Sequence, residues 1–290
     1  MTSSAHPLVQ PFFHRESSTW SYVVADADAR SAVVIDAALD FDLKSARTGT
    51  DSVDALIAWL RERDFTVAWI LETHAHADHL SAAQRVKQQL GGKIAIGAGI
   101  GTVQETFAAI FDLGDDFARD GSQFDRLFAD GESFRVGGIA AQVIGVPGHT
   151  ADSVAYLIGD ALFVGDSLFM PDGGSARCDF PGGDAAMLYH SIQRMYALPD
   201  ATRVFVCHDY GPGGREVACE TTIGEEKRAN IHLRADTTEQ DFVRMRSTRD
   251  ATLAVPALLL PSIQVNIRAG ELPPASSNGV RYLKLPLDTL

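Results

Sequence analysis

Apolar and polar positions along the chain follow two periods, and the places where one gives way to the other predict its elements. Residues 1–20 show neither period and read as an irregular arm. Ser21 to Ala25 and Ser31 to Ala37 are β-rich runs around Asp26-Ala27-Asp28-Ala29-Arg30, a hairpin pattern. Val53, Leu56, Ile57 and Leu60 recur at helical spacing, predicting an amphipathic helix over 52–63 packed on a sheet. An apolar-rich run from Thr66 to Leu71 predicts a strand, followed by a helix over 80–90 that Gly91-Gly92 ends. Lys93 to Ile96 reads as a strand, Val103 to Phe111 as a helix, and the polar stretch 112–127 as a surface loop.

Strands then return at Ser133–Val136, Ile139–Val146, Ser153–Ile158 and Ala161–Val164, with hairpin turns at Gly137-Gly138 and Gly159-Asp160. A helix over 184–197 leads to an apolar strand, Arg203–Cys207, and 223–230 and 238–247 carry helical patterns. Near the end, Ile263, Val265 and Ile267 alternate with Gln264, Asn266 and Arg268, which predicts a strand. Each half therefore supplies strands followed by helices. The expected class is α/β, with two sheets packed face to face and helices outside.

Composition changes this picture little, but charge narrows the partners. The chain has 290 residues, 46% hydrophobic and 22% charged, as in a soluble globular protein. Its net charge of −13 argues against a nucleic-acid surface, which relies on Lys and Arg. Cys178, Cys207 and Cys219 are too few and scattered for a disulfide framework. No signal-peptide pattern is seen, and the apolar run Leu253–Leu260 is too short for a membrane span, so the expected location is cytoplasmic. Gly97-Ala98-Gly99-Ile100-Gly101 is not a Gly-x-Gly-x-x-Gly phosphate loop, and turn flexibility accounts for it.

The chemistry sits in Thr73-His74-Ala75-His76-Ala77-Asp78-His79, directly after the strand 66–71. Three imidazoles and a carboxylate within six residues suit zinc, iron or manganese better than calcium or magnesium. His-x-His-x-Asp-His after a strand resembles the metal motif of the metallo-β-lactamase superfamily. The resemblance implies an αββα sandwich of two mixed sheets and three further ligands at strand ends. Each such place is filled: His149 after strand 139–146, Asp166 after 161–164 and His208 after 203–207. It also implies a catalytic domain over 1–250 and an extension over 251–290 packed on it. His6, His14, His190 and His232 lack such placement and read as ordinary histidines.

Three further segments narrow the likeness. Ala176-Arg177-Cys178-Asp179-Phe180, Leu188-Tyr189-His190-Ser191 and His208-Asp209-Tyr210 resemble the persulfide dioxygenases, as does the tail with Asn266, Arg268 and Gly270. That resemblance implies one Fe(II) per chain on His74, His149 and Asp166, with His76, Asp78, His79 and His208 orienting those ligands. It implies oxidation of glutathione persulfide by O₂ and water to sulfite and glutathione, in a homodimer. Arg177 and Tyr210 become candidate catalytic and substrate contacts, and Asn266 a candidate substrate contact. Cys178 is either a small buried residue or a redox-sensitive neighbour of the site. Glyoxalase II shares the seven ligands, and under that likeness they would hold two Zn(II) for thioester hydrolysis.

Overall fold

In the computed structural model, which describes residues 6–289, adjacent side chains of the first hairpin belong to different apolar layers. Tyr22, Val24, Val33 and Ile35 face one layer, whereas Val23, Ala25, Ala32 and Val34 face another. Strand side chains alternate, so a strand apolar at every position must be covered on both faces. The chain runs β1 (Leu8–His14), β2 (Thr19–Asp26), β3 (Ser31–Ile35), β4 (Ala38–Asp42), β5 (Arg47–Gly49), α1 (Asp51–Glu62), β6 (Thr66–Leu71), β7 (Leu80–Ser81), α2 (Ala83–Leu90), β8 (Lys93–Gly97), α3 (Ile100–Ile110) and β9 (Arg126–Phe128). It continues with β10 (Ser133–Val136), β11 (Ile139–Gly145), β12 (Val154–Ile158), β13 (Ala161–Phe163), α4 (Ala185–Tyr196), β14 (Arg203–Phe205), β15 (Glu220–Thr222), α5 (Ile223–Ala229), α6 (Glu239–Asp250) and α7 (Leu259–Asn266).

Two six-stranded sheets result, in the orders β1-β2-β3-β6-β8-β9 and β10-β11-β12-β13-β14-β15. Both are mixed: β3, β6, β8 and β9 pair in parallel in the first, and β13 pairs with β14 in parallel in the second. Between the sheets Tyr22 sits edge-on to Phe163 and Phe205, at 5.2 and 5.6 Å between ring centres. Side chains of α1, α2 and α3 cover the outside of the first sheet, and those of α4 and α6 the outside of the second. This is the αββα sandwich. Among the described residues no helix is long and apolar enough to cross a membrane.

Three expectations need correction. The arm 1–20 contains β1, an edge strand that tolerates Pro11 because one of its sides pairs with no strand among the described residues; residues 1–5 lie outside the described part. The glycines at 97 and 99 serve close approach rather than turning. A Cβ at Gly97 would lie 2.4 Å from the Asp152 carbonyl oxygen, and one at Gly99 would lie 2.3 Å from that of Ala151. The stretch 112–127 is a surface loop as expected until β9 begins at Arg126, and the buried Phe117 and Phe124 anchor it. The predicted strand at 263–267 is helix α7. It is buried on all sides, Gln264 and Asn266 included, so no 3.6-residue stripe distinguishes it. Its Leu259 and Ile263, with Ile267 just beyond, join the apolar layer under the first sheet.

Candidate metal centre

β6 ends at Leu71 in the middle of its sheet, and the next eight residues cross to the gap between the sheets. Asp36, just past β3, catches that crossing. Its carboxylate accepts from the Thr73 N–H at 2.7 Å and from the Thr73 hydroxyl at 2.9 Å, and its Oδ1 lies 3.0 Å from His76 Nε2. The Ala75 N–H donates to Asp152 at 2.8 Å. From the other side, the Asn266 amide donates to the carbonyls of His76 and His79 at 2.7 and 2.8 Å, while its oxygen accepts from the Ser81 N–H at 2.8 Å. The loop is thus tied at four places to residues far away in sequence.

The other ligand candidates arrive on strand ends of the second sheet. Gly148 has φ +135°, and a Cβ there would lie 2.3 Å from the Leu188 backbone nitrogen, so only glycine lets this loop pass α4. His149 follows, and its Nδ1 donates to the Arg177 carbonyl at 2.8 Å, leaving the Nε2 lone pair for the centre. Asp166 Oδ2 lies 3.8 Å from His74 Nε2 and 3.5 Å from His149 Nε2. Its Oδ1 lies 3.2 Å from His208 Nε2, which is also 3.3 Å from Asp78. Asp166 therefore stands between two donor groups. One is His74, His149 and Asp166; the other is His76, Asp78, His79 and His208.

The donor atoms fit a metal. His74 Nε2, His76 Nδ1 and His79 Nε2 are buried and have no hydrogen-bond partner among the described residues. A buried polar atom without a partner costs stability, so such a convergence indicates an ion. Burial holds the His74 imidazole in its neutral, ligating form. Burial alone would raise the Asp166 carboxyl, yet the His208 imidazole, 3.2 Å from its Oδ1, keeps it well below the usual carboxylate range.

The comparisons with known proteins follow the same lines. The profile of the metallo-β-lactamase superfamily matches residues 14–208. The chain belongs to that superfamily. A probable metallo-hydrolase of Burkholderia pseudomallei is 49% identical, covering 97% of this chain and 99% of that one. Glyoxylase B2 of Dictyostelium discoideum is 46% identical, with 97% of each chain covered. The mitochondrial persulfide dioxygenase ETHE1 of Mus musculus is 27% identical over 90% of this chain and 91% of that one. Among solved structures, ETHE1 from Myxococcus xanthus superposes with a TM-score of 0.72 at 30% identity, covering 91% of this chain and all of that one.

In this metallo-β-lactamase fold a cavity of about 380 Å³ opens over the centre, reaching Asp78, His149 and Asp166 at its floor. Tyr210 lines it with a 65% exposed side chain, stacked on His208 at 6.1 Å, and its hydroxyl has no partner among the described residues. Arg177 lines it too, but its fork is turned on Asp179, at 2.6 and 2.7 Å, and its third donor meets the Ala254 carbonyl at 2.7 Å. Binding a substrate carboxylate bidentately would require parting that pair. Asn266 does not reach the cavity. It is buried beneath the loop, with its amide spent on backbone, so it acts on the centre by positioning His76 and His79. Cys178 is buried and its thiol pushed up to about 12 by that burial, so it is the small buried residue of the two alternatives.

Several site residues lie outside the motif. Asp36 carried one signal, an acid at the end of an apolar strand, and Glu72, 3.4 Å from His76, another, an acid at the foot of the motif. His232, Arg246 and Arg249 also line the cavity, and nothing in their neighbourhood along the chain marks them.

Proposed function

We propose that this protein oxidises glutathione persulfide with O₂ and water to glutathione and sulfite, using one Fe(II) held by His74, His149 and Asp166. The carrying observation is that both imidazole Nε2 atoms face one oxygen of Asp166, giving a 2-His-1-carboxylate set with the cavity on its open side. The likeness to ETHE1 in architecture and length supports it. Bound iron would supply O₂ activation beside the persulfide sulfur. The chain supplies the rest. His149 is locked in its tautomer by the Arg177 carbonyl, and the two ligating rings stand 5.1 Å apart. Phe169, Phe180 and Leu253 give the cavity apolar walls that restrict water near the reacting sulfur. The free Tyr210 hydroxyl is placed to donate a hydrogen bond to substrate.

A second reading rests on a separate observation: His76, Asp78, His79 and His208 converge as another donor group beside the first. With Asp166 between the groups, two Zn(II) would make a thioester hydrolase, in line with the 46% identity to glyoxylase B2. Anaerobically purified protein separates the two. About one iron per chain, with O₂ uptake on adding glutathione persulfide, supports the dioxygenase. Two zincs per chain, with cleavage of S-lactoylglutathione and no O₂ uptake, would replace it with the hydrolase.

A further inference from the structure

His232 reads as an ordinary histidine in the sequence, yet it forms part of the cavity wall in a fixed tautomer. Its Nδ1 accepts the Ser175 N–H at 2.9 Å and faces Arg246 Nη1 at 3.3 Å. Two donors on one nitrogen require a lone pair there, so the ring proton is on Nε2. That nitrogen has no partner among the described residues and is not sealed in the protein interior. The ring is also seated deliberately. Gly174 has φ +84°, and a Cβ there would lie 2.1 Å from His232 Nδ1. The buried Asn230 holds the His232 N–H at 2.9 Å and donates to the Gly174 carbonyl at 3.1 Å.

The support beneath is built of charge. Arg246 is 1% exposed, pairs with Asp250 and donates to the Ser175 carbonyl at 2.9 Å. Asp250 in turn accepts the Cys178 N–H at 2.9 Å. The guanidinium and its carboxylate thus bolt the strap 175–178, which also holds His149, to α6. One turn along that helix, Arg249 lines the same cavity, exposed and without an ion-pair partner among the described residues. Its neighbours Arg246 and Arg177 are both neutralised by carboxylates, so Arg249 is the unspent cation of this wall.

We propose that His232 and Arg249 together hold a carboxylate of the substrate, the imidazole through its Nε2–H and the guanidinium through its charge. The assignment rests on the reading that this cavity receives the substrate of the metal centre, and it names the class: an anionic thiol derivative bearing a carboxylate remote from its sulfur. A neutral imidazole donor and a free guanidinium lining one cavity give two donors with one net charge, which matches a single carboxylate. His232 also ties recognition to the centre, because Ser175 begins the strap whose Arg177 carbonyl orients His149.

The test is equilibrium binding of S-methylglutathione to metal-loaded protein without O₂, so that no turnover is involved. Arg249→Ala should raise Kd on the order of tenfold or more, as loss of one charge-assisted contact does. His232→Ala should weaken binding several-fold, and His232→Gln, which keeps an N–H near the Nε2 position, should recover most of it. The glycinamide analogue, lacking the terminal carboxylate, should bind wild type about as weakly as S-methylglutathione binds the Arg249→Ala variant. Melting temperature and metal content of each variant show that it is folded and loaded. Unchanged Kd in the His232 and Arg249 variants, equal binding of acid and amide, or no binding to wild type would each overturn the assignment. A protein that binds as expected but takes up no O₂ with glutathione persulfide keeps this inference and loses the dioxygenase. One that takes up O₂ with an unaltered KM in both variants keeps the dioxygenase and loses this inference.

Discussion

His76 Nε2 and Asp36 Oδ1 lie 3.0 Å apart, both wholly inside the protein, although forty positions separate them. The contact puts the His76 proton on Nε2 and leaves Nδ1 bare toward the centre. Asp36 also holds Thr73, whose hydroxyl meets His74 Nδ1 at 3.0 Å, so Asp36→Ala should weaken metal binding about 10–100-fold, the usual cost of losing a group that orients a ligand. Competition with a chelator, on protein shown to be folded, measures it. Wild-type affinity in a folded variant would mean that His74 needs no such orientation.

The ligands themselves separate one metal from two. His149→Ala or Asp166→Ala should remove metal and activity together. Asp78→Ala or His208→Ala should lower activity while leaving substantial iron. Equal metal loss in all four variants, read by elemental analysis, would favour the dinuclear site.

Asn266→Ala should act on stability. It orphans the carbonyls of His76 and His79 and the N–H of Ser81, all buried, at about 1–3 kcal/mol each where water cannot enter. Even a loss of about 2 kcal/mol lowers Tm by roughly 4–8 °C in a chain near this size. The metal should loosen with it, and KM should move little. A raised KM at unchanged Tm would instead make Asn266 a substrate contact.

Arg177→Ala should lower Tm through loss of the Asp179 pair and the Ala254 contact, while KM of the folded protein stays within a few-fold of wild type. Lysine should restore little of the stability, since it cannot supply the fork. A tenfold rise in KM at unchanged Tm would show that Arg177 leaves Asp179 to meet the substrate.

His232 should contribute to acid sensitivity. Burial, then the Arg246 and Arg249 guanidiniums, push its imidazole down to about 4, against the opposing charge of Asp250. An unfolded histidine titrates at about 6.5, so between that value and about 4 the unfolded chain binds the extra proton. The stability from keeping this ring neutral is thus complete above the unfolded value and is lost as pH falls toward the folded one. The Tm advantage of wild type over His232→Gln should narrow from pH 7 to pH 5 at equal metal loading. A constant gap would show that the ring is not held neutral.

Local order was legible because local rules produce it. The alternation in β2 and β3, the stripe of Val53, Leu56, Ile57 and Leu60 in α1, and the placement of His149, Asp166 and His208 at strand ends need only neighbours along the chain. The superfamily motif lies in one loop, so His74, His76, Asp78 and His79 were readable as donors to a metal. What could not be read depends on partners that approach only on folding. α7 looks like a strand because burial on every side erases its period, and Asn266 looks like a substrate contact although its amide is satisfied by the metal loop. Arg177 shows its charge in the sequence but not that Asp179 has taken it. The sequence alone determined the donor set and the sandwich that carries it. Only the tertiary structure decided which donors face one another and which charges stay free. It also gave His232 its role, because Ser175 and Arg246, distant along the chain, meet on one side of its ring.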